Sequence, residues 1–137
     1  MMTAVDTPVL IAICQGEADG RRWAERLAEC RAEGGLCVCE VVAAELFALL
    51  MDEGEHRVVL EGLGVEYVPS TLAAAQQAGR AFRLYRNAGG PRTHLVPDFL
   101  IAAHAQVQAD RLASLDRGYL RRYFSGLRLV TVTRMET

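Results

Sequence analysis

Short apolar segments of strand-like composition alternate with helical segments along the whole chain, and this alternation constrains its fold more than any other feature. The strand-like segments are residues 3–5, 36–39, 65–68, 111–115 and 127–132. Strands that alternate with helices in a chain of this length are typical of a parallel sheet covered by helices. We therefore predict an α/β fold, a single-domain three-layer sandwich with a mainly parallel central sheet, spanning residues 1–137.

Proline and small polar residues mark the beginnings of several helices. Thr7 is predicted to cap the first helix, with Pro8 at its first helical position. Ser70 is predicted to cap a long helix, and Pro97 to open another over residues 97–109.

The residue types present exclude several kinds of chemistry. All 15 basic residues are arginine, so Schiff-base chemistry, a Walker A site and a receiver-type phosphorylation site are excluded for want of a lysine. The spacing of the four cysteines is not that of a zinc site, and the sequence shows no export signal. We therefore expect all four to be reduced thiols. No apolar run approaches the ~20 residues that cross a bilayer. We expect a soluble, cytoplasmic protein that does not associate with membranes.

Charge is distributed unevenly along the chain. Residues 1–66 hold 13 acids and 5 arginines, whereas residues 80–122 hold 8 arginines and 3 acids. An arginine-rich half favours a polyanionic partner, although two differently solvated faces would also explain the asymmetry.

Four carboxylates stand at positions that favour a binding site. Asp6 and Asp116 each follow a predicted strand directly, at the edge of the sheet where ligands of α/β proteins bind. Glu45 and Asp98 lie on helices, on or beside the predicted buried side, so we expect both to be half-buried. Grouped acids of this kind need a cation, and Mg²⁺ prefers oxygen ligands.

Each acid also has a plainer interpretation. Asp6 is suited to cap the first helix, and Asp98 to complement a helix dipole. Asp116 is suited to a turn before Gly118, and Glu45 to an ion pair with an arginine. The joint pattern of the four carries the hypothesis of a metal site.

The segments around these acids resemble the PIN domain family. Pro97-Asp98-Phe99-Leu100-Ile101-Ala102-Ala103-His104-Ala105 is the most specific match, and the segments 5–10, 41–46 and 112–119 look like the family's other acidic motifs in order and spacing. Residues 121–127 continue in the manner of the VapC-like ribonuclease toxins of type II toxin–antitoxin systems. Pro8 stands where the family usually has Ser or Asn, and Ser114 where it usually has Thr.

This resemblance implies an endoribonuclease that depends on Mg²⁺ or Mn²⁺ and cleaves RNA phosphodiester bonds with a metal-activated water. Asp6, Glu45, Asp98 and Asp116 would hold the metal, directly or through water. The resemblance also implies a homodimer and a cognate antitoxin. Two alternatives stay open: a PIN nuclease of housekeeping RNA processing, and a non-catalytic RNA-binding module.

Arginines and two histidines complete the candidate site. Arg80, Arg83 and Arg86 recur at three-residue steps on one helix, and Arg92 and Arg117 flank the acids. We expect them to hold RNA phosphates, with pairing to helix acids as the alternative. His104 is interpreted as a packing or surface residue. His94 is interpreted as a loop residue, with contact to RNA as the alternative.

Overall fold

Five parallel strands form one sheet flanked by helices in the computed structural model, which describes residues 1–115 and 118–132. The strands are β1 (Met2–Val5), β2 (Gly35–Val38), β3 (Val65–Tyr67), β4 (Arg111–Ala113) and β5 (Arg128–Val130). The helices are α1 (Thr7–Cys14), α2 (Gly20–Glu33), α3 (Glu40–Leu50), α4 (Glu53–Leu63), α5 (Leu72–Asn87), α6 (Val96–Gln108) and α7 (Gly118–Tyr123). The predicted α/β fold is confirmed.

The order of the strands places a topological switch point at the centre of the sheet. The order is β3-β2-β1-β4-β5, and Ala4 of β1 pairs with Cys37 of β2 on one side and Leu112 of β4 on the other. The chain therefore proceeds toward one edge after β1 and toward the opposite edge after β4. In sheets of this type the crevice beyond the carboxyl ends of the two central strands is the usual ligand site.

Two of the predicted helix caps are wrong by one residue. Asp6, not Thr7, caps α1, since its carboxylate accepts a hydrogen bond from the Thr7 amide while the Thr7 hydroxyl donates to Glu45. The plainer interpretation of Asp6 as the cap of the first helix is thereby confirmed. Thr71, not Ser70, caps α5, since the Thr71 hydroxyl accepts from the amide of Ala74 at 3.2 Å. At both places the predicted cap residue bonds instead to an acid of a distant segment, Thr7 through its hydroxyl to Glu45 and Ser70 through its amide to Glu40.

The core lies between the sheet and its helices and includes three of the four cysteines. Cys30, Cys37 and Cys39 are buried, Cys14 is half-buried, and all four are free thiols, as predicted. Burial, with smaller contributions from Cys39 and Glu66, raises the pKa of Cys37 to about 12. Within residues 1–115 and 118–132, no helix is both long and apolar enough to cross a membrane.

Candidate active site

The carboxylate of Asp6 lies at the switch point, directly after β1, and is almost fully buried. Its Oδ1 accepts a hydrogen bond from the Thr7 amide at 2.8 Å, and its Oδ2 accepts one from the Ser114 hydroxyl at 2.7 Å. Ser114 follows β4, so the bond spans the two central strands. The Asp6 amide also donates to the carbonyl oxygen of Ala113 at 3.0 Å, which continues the ladder past the strand ends. The orientation of this carboxylate is therefore fixed by groups that follow the two central strands.

Glu45 is connected to Asp6 through the hydroxyl group of Thr7, so that Asp6, Thr7, Glu45 and Ser114 form one hydrogen-bonded array. The Thr7 hydroxyl donates to Oε1 of Glu45 at 2.7 Å, so the backbone amide and the side chain of one residue serve two carboxylates. The prediction that Glu45 is half-buried is wrong, because the residue is exposed. It stands beside the buried stripe of α3, formed by Val42 and Leu46, and points out of it.

Asp98 lies in the first turn of α6 and is half-buried, as predicted. Its Oδ2 accepts a hydrogen bond from the Leu95 amide at 2.9 Å, which ties the start of the helix to the preceding loop. The adjacent Phe99 packs against Tyr119 and Phe124, with ring centroids 5.4 Å and 5.9 Å away. These two rings belong to α7 and the residue that follows it, so the start of α6 lies beside the helix that follows β4.

The fourth predicted acid, Asp116, and the predicted phosphate-binding residue Arg117 lie outside the described residues. Within the described ranges, no three Cys, His, Asp or Glu side chains converge closely enough to hold a metal ion. The structure joins Asp6 and Glu45 through Thr7 and puts Asp98 in the first turn of α6. The four-carboxylate site stays a prediction.

A cavity of about 380 Å³ opens beside Ser114, the hydrogen-bond partner of Asp6. Its lining includes Asp19, Trp23, Ser114 and Arg121. Sequence reasoning missed Asp19, which precedes α2 and looks like an ordinary turn residue. The structure brings it to the cavity because Gly20 approaches the backbone of Ala12 closely, with no space for a Cβ atom, and packs the start of α2 against α1.

The predicted phosphate-binding arginines of α5 and the following loop lie in a part of the chain without acids. No Asp or Glu occurs between Glu66 and Asp98. Arg80 and Arg83 are exposed, and Arg80 donates to the side chain of Gln77. Arg86 donates to the carbonyl oxygen of Gly90 at 2.8 Å, and Arg92 is exposed in the loop after α5.

Among the described residues, the ion pairs all involve arginines outside α5: Arg21 with Glu25, Arg26 with Glu29 and Glu33, and Arg111 with Glu33. The alternative interpretation, in which the α5 arginines pair with helix acids, therefore finds no support in the described part of the chain.

The two singled-out histidines have different environments. His104 is fully buried on α6 and its Nε2 lies 2.7 Å from the carbonyl oxygen of Val68, so its interpretation as a packing residue is confirmed. Burial lowers the pKa of His104, against smaller opposing effects of that hydrogen bond and of Glu40. His94 is half-buried in the loop before α6, with its ring stacked on that of Tyr119.

Solved structures with the same fold come from bacterial complexes. VapBC2 from Rickettsia felis bound to a DNA fragment from their promoter matches with a TM-score of 0.69 and 18% identity, over 96% of this chain and 98% of that one. VapBC-1 from nontypeable Haemophilus influenzae matches with a TM-score of 0.67 and 16% identity, over 96% of this chain and 98% of that one. FitAcB from Neisseria gonorrhoeae matches with a TM-score of 0.65 and 20% identity, over 93% of this chain and 96% of that one. Because the identities are low, these structural matches show a common fold and do not assign the family.

Family assignment comes from the sequence. No curated protein matches this chain. The profile of the PIN domain matches residues 3–124, which is most of the chain and includes the three described carboxylates of the predicted site. The chain therefore belongs to the PIN domain family.

Proposed function

We propose that the protein is a metal-dependent endoribonuclease and the toxin of a toxin–antitoxin pair. The observation that carries the proposal is the hydrogen-bonded array of Asp6, Thr7, Glu45 and Ser114 at the switch point of a PIN fold. Hydroxyl and amide donors hold these carboxylates in fixed orientations, as a binding site for a cation requires. The likeness to VapBC complexes supports the toxin class within the family.

The donor set suits Mg²⁺ or Mn²⁺. Both ions prefer hard oxygen ligands, and Mg²⁺ is commonly held by one or two carboxylates with water completing its coordination. Asp6, Asp98 and Asp116 would hold the ion, with Glu45 a ligand directly or through water. Such an ion supplies activation of water and neutralisation of the charge that develops on the cleaved phosphodiester.

The residues of the chain position the groups around that chemistry. Ser114 and Thr7 orient the carboxylates of Asp6 and Glu45, so these side chains need no reorganisation when RNA binds. The arginines hold RNA phosphates beside an acidic centre that would otherwise repel them. The proposed set is Arg80, Arg83, Arg86, Arg92 and Arg117.

The first test is cleavage of labelled total tRNA and structured RNA by the purified protein with Mg²⁺, Mn²⁺ or EDTA. Asp98→Asn is the diagnostic variant, since it removes the charge and retains an oxygen that can accept from the Leu95 amide. Asp52→Asn is the matched control, because the Asp52 carboxylate also accepts a backbone hydrogen bond at the start of a helix, from the Glu55 amide at 2.8 Å. We expect cleavage that requires the metal, disappears in Asp98→Asn and persists in Asp52→Asn.

Other outcomes separate the alternatives. Cleavage that survives in Asp98→Asn and in EDTA contradicts the proposal and indicates a contaminating nuclease. Tight RNA binding without cleavage under any condition indicates the non-catalytic RNA-binding module. Metal-dependent cleavage by a protein whose gene has no antitoxin-like reading frame beside it indicates the housekeeping nuclease.

The proposal includes a cognate antitoxin as partner and a homodimer as the assembly. An apolar groove of about 460 Å³ beside Leu50, Val58 and Val59 supports a protein partner, since Val58 and the nearby Met51 are largely exposed. Co-expression with the neighbouring reading frame should yield a stable complex in which cleavage is inhibited. Light scattering on the isolated protein should give twice the mass of the chain.

A further inference from the structure

A small aromatic surface lies beside the first turn of α6 and outside the array of carboxylates. The rings of His94 and Tyr119 stack with their centroids 4.0 Å apart and their planes inclined by 30°. Both residues are only half-buried, so the stacked pair reaches the protein surface. The buried ring of Phe99 packs against Tyr119 with its centroid 5.4 Å away, and the buried ring of Tyr85 makes a T-shaped contact with His94 at 5.9 Å. The stack therefore has a rigid, buried support.

The loop that carries His94 is fixed to α5 by two hydrogen bonds. The hydroxyl of Tyr85 donates to the carbonyl oxygen of Pro91 at 2.6 Å, and the guanidinium group of Arg86 donates to that of Gly90 at 2.8 Å. Anchors at two successive carbonyls hold the loop in one path. The stack is thereby presented in a defined orientation without a ligand.

The same short segment connects the stack to the carboxylates and to the arginines. His94 stands four residues before Asp98, whose carboxylate accepts from the amide of Leu95, the residue next to His94. Arg92 is exposed two residues before His94. The segment 67–97 contains four arginines and no acid, so nothing in it repels a polyanion.

An exposed stack of rings between cations and a carboxylate suits an unpaired nucleotide. Bases that are not held in a duplex stack on aromatic side chains through their π-faces, and arginines bind the flanking phosphates. A base within a duplex is already stacked on its neighbours and has no free face to offer. A protein partner would meet one small aromatic patch here, set among arginines.

We propose that His94 and Tyr119 form a base-stacking platform that receives one unpaired base of the RNA and directs the adjoining phosphate toward Asp98. The inference rests on the proposed ribonuclease function and adds to it a substrate-positioning role for two residues outside the array of carboxylates. His94 is a positioning and specificity-determining residue in this arrangement.

The test measures stacking directly and without cleavage. A single-stranded RNA of about ten nucleotides, with one fluorescent 2-aminopurine base at its centre, is titrated with the protein in EDTA, and the same strand annealed to its complement is titrated in parallel. Stacking on an aromatic ring quenches 2-aminopurine, so we expect quenching with the single strand and none with the duplex. His94→Ala should remove the quenching and weaken binding about tenfold, the effect of one lost base stack.

Two further variants keep the result interpretable. His94→Phe retains a flat ring and should retain quenching. His56→Ala is the matched control, since His56 is another half-buried histidine with an aromatic neighbour, Phe47, on a different helix, and it should behave as the wild type. Unfolding by urea checks that each variant is folded.

The inference is overturned if His94→Ala quenches and binds like the wild type, if His94→Phe loses quenching to the same extent as His94→Ala, or if the duplex binds as tightly as the single strand. Because this experiment excludes the metal, its outcome is independent of the cleavage test. Normal quenching without any cleavage would retain the platform and contradict the ribonuclease, whereas cleavage without quenching would retain the ribonuclease and contradict the platform.

Discussion

The buried carboxylate of Asp6 depends on a few well-placed donors, and Ser114 supplies one of them from a side chain that is fully buried. Replacing Ser114 with Ala leaves Oδ2 of Asp6 without this donor. We expect a loss of about 1–3 kcal/mol in the free energy of unfolding and lower cleavage activity, because the carboxylate loses a partner and its fixed orientation. Urea denaturation and the RNA cleavage assay measure the two effects.

Ser125 provides the matched comparison for this substitution, since it is exposed and lies outside the array. Ser125→Ala should leave stability and cleavage as in the wild type. Equal stability and activity of Ser114→Ala and Ser125→Ala would contradict the role assigned to the Ser114 hydroxyl.

His104 is expected to make stability depend on pH. Because burial lowers its pKa in the folded protein, the unfolded chain binds a proton more readily, and stability is present above the ordinary histidine pKa of about 6.5 and is lost as the pH falls below it. The free energy of unfolding should be lower at about pH 5.5 than at about pH 7.5. Urea denaturation at the two pH values measures the difference.

His104→Gln retains a donor for the carbonyl oxygen of Val68 and removes the titrating group, so it should reduce this pH dependence. The pKa of Glu40 is lowered overall because hydrogen bonds from Ser70 and its own backbone outweigh its burial, so its effect on stability appears only at more acidic pH. A His104→Gln protein with the same pH dependence as the wild type would contradict the assignment.

At the scale of the element, the backbone at the end of α4 requires a glycine. Gly64 adopts the left-handed conformation with φ of 72° and ends the helix there. Gly64→Ala should lower the free energy of unfolding by about 1–2 kcal/mol, and a Cβ atom would also displace the guanidinium group of Arg31. Gly62 lies inside the same helix, with open space where its Cβ atom would be.

Gly62→Ala is therefore expected to have the opposite effect and to raise the free energy of unfolding by roughly 0.5–1 kcal/mol. Urea denaturation of the two variants compares them directly. Two changes of the same sign would show that α4 does not end at Gly64 as described.

The exposed arginines of α5 are expected to govern how RNA binding depends on salt. The double variant Arg80→Gln with Arg83→Gln should bind RNA more weakly and reduce the slope of log affinity against log salt by about 0.7 for each lost phosphate contact. Arg86 is left in place because it anchors the loop at Gly90. The comparison variant is Arg21→Gln, an exposed arginine paired with Glu25 on α2, and an equal slope for both proteins would contradict the prediction.

The order and type of the elements could be predicted from the sequence because short apolar strands and capped helices alternate clearly. Exact boundaries could not, as the two caps show: Asp6 and Thr7, like Ser70 and Thr71, are adjacent residues of types that cap helices, and residue type alone does not distinguish them. The Ser70 amide donates to Glu40 at 2.7 Å, as the Thr7 hydroxyl does to Glu45. The exposure of Glu45 escaped prediction for a related reason, since a side chain at the margin of a buried stripe can turn outward.

At the scale of the whole molecule, packing of the core controls the reactivity of the cysteines. Cys30, Cys37 and Cys39 are at most 1% exposed, and burial raises the pKa of Cys37, so they become accessible to a thiol reagent only when the core opens. We expect the folded protein to react at Cys14 first, and all four thiols to react in denaturant. Mass spectrometry after brief alkylation measures this, and rapid labelling of the other three in a folded Cys14→Ser protein would contradict it.

The hydrogen bond between Ser114 and Asp6 joins residues 108 positions apart, and β1 acquires its β4 neighbour from an equally distant part of the chain. During synthesis, the crevice at the end of β1 can therefore be assembled only after β4 and Ser114 have been added to the chain. Contacts of such long sequence separation form late, because the intervening chain must first be ordered. A chain that terminates before β4 lacks both this neighbour and the Ser114 hydroxyl, so it would not assemble the crevice at the end of β1.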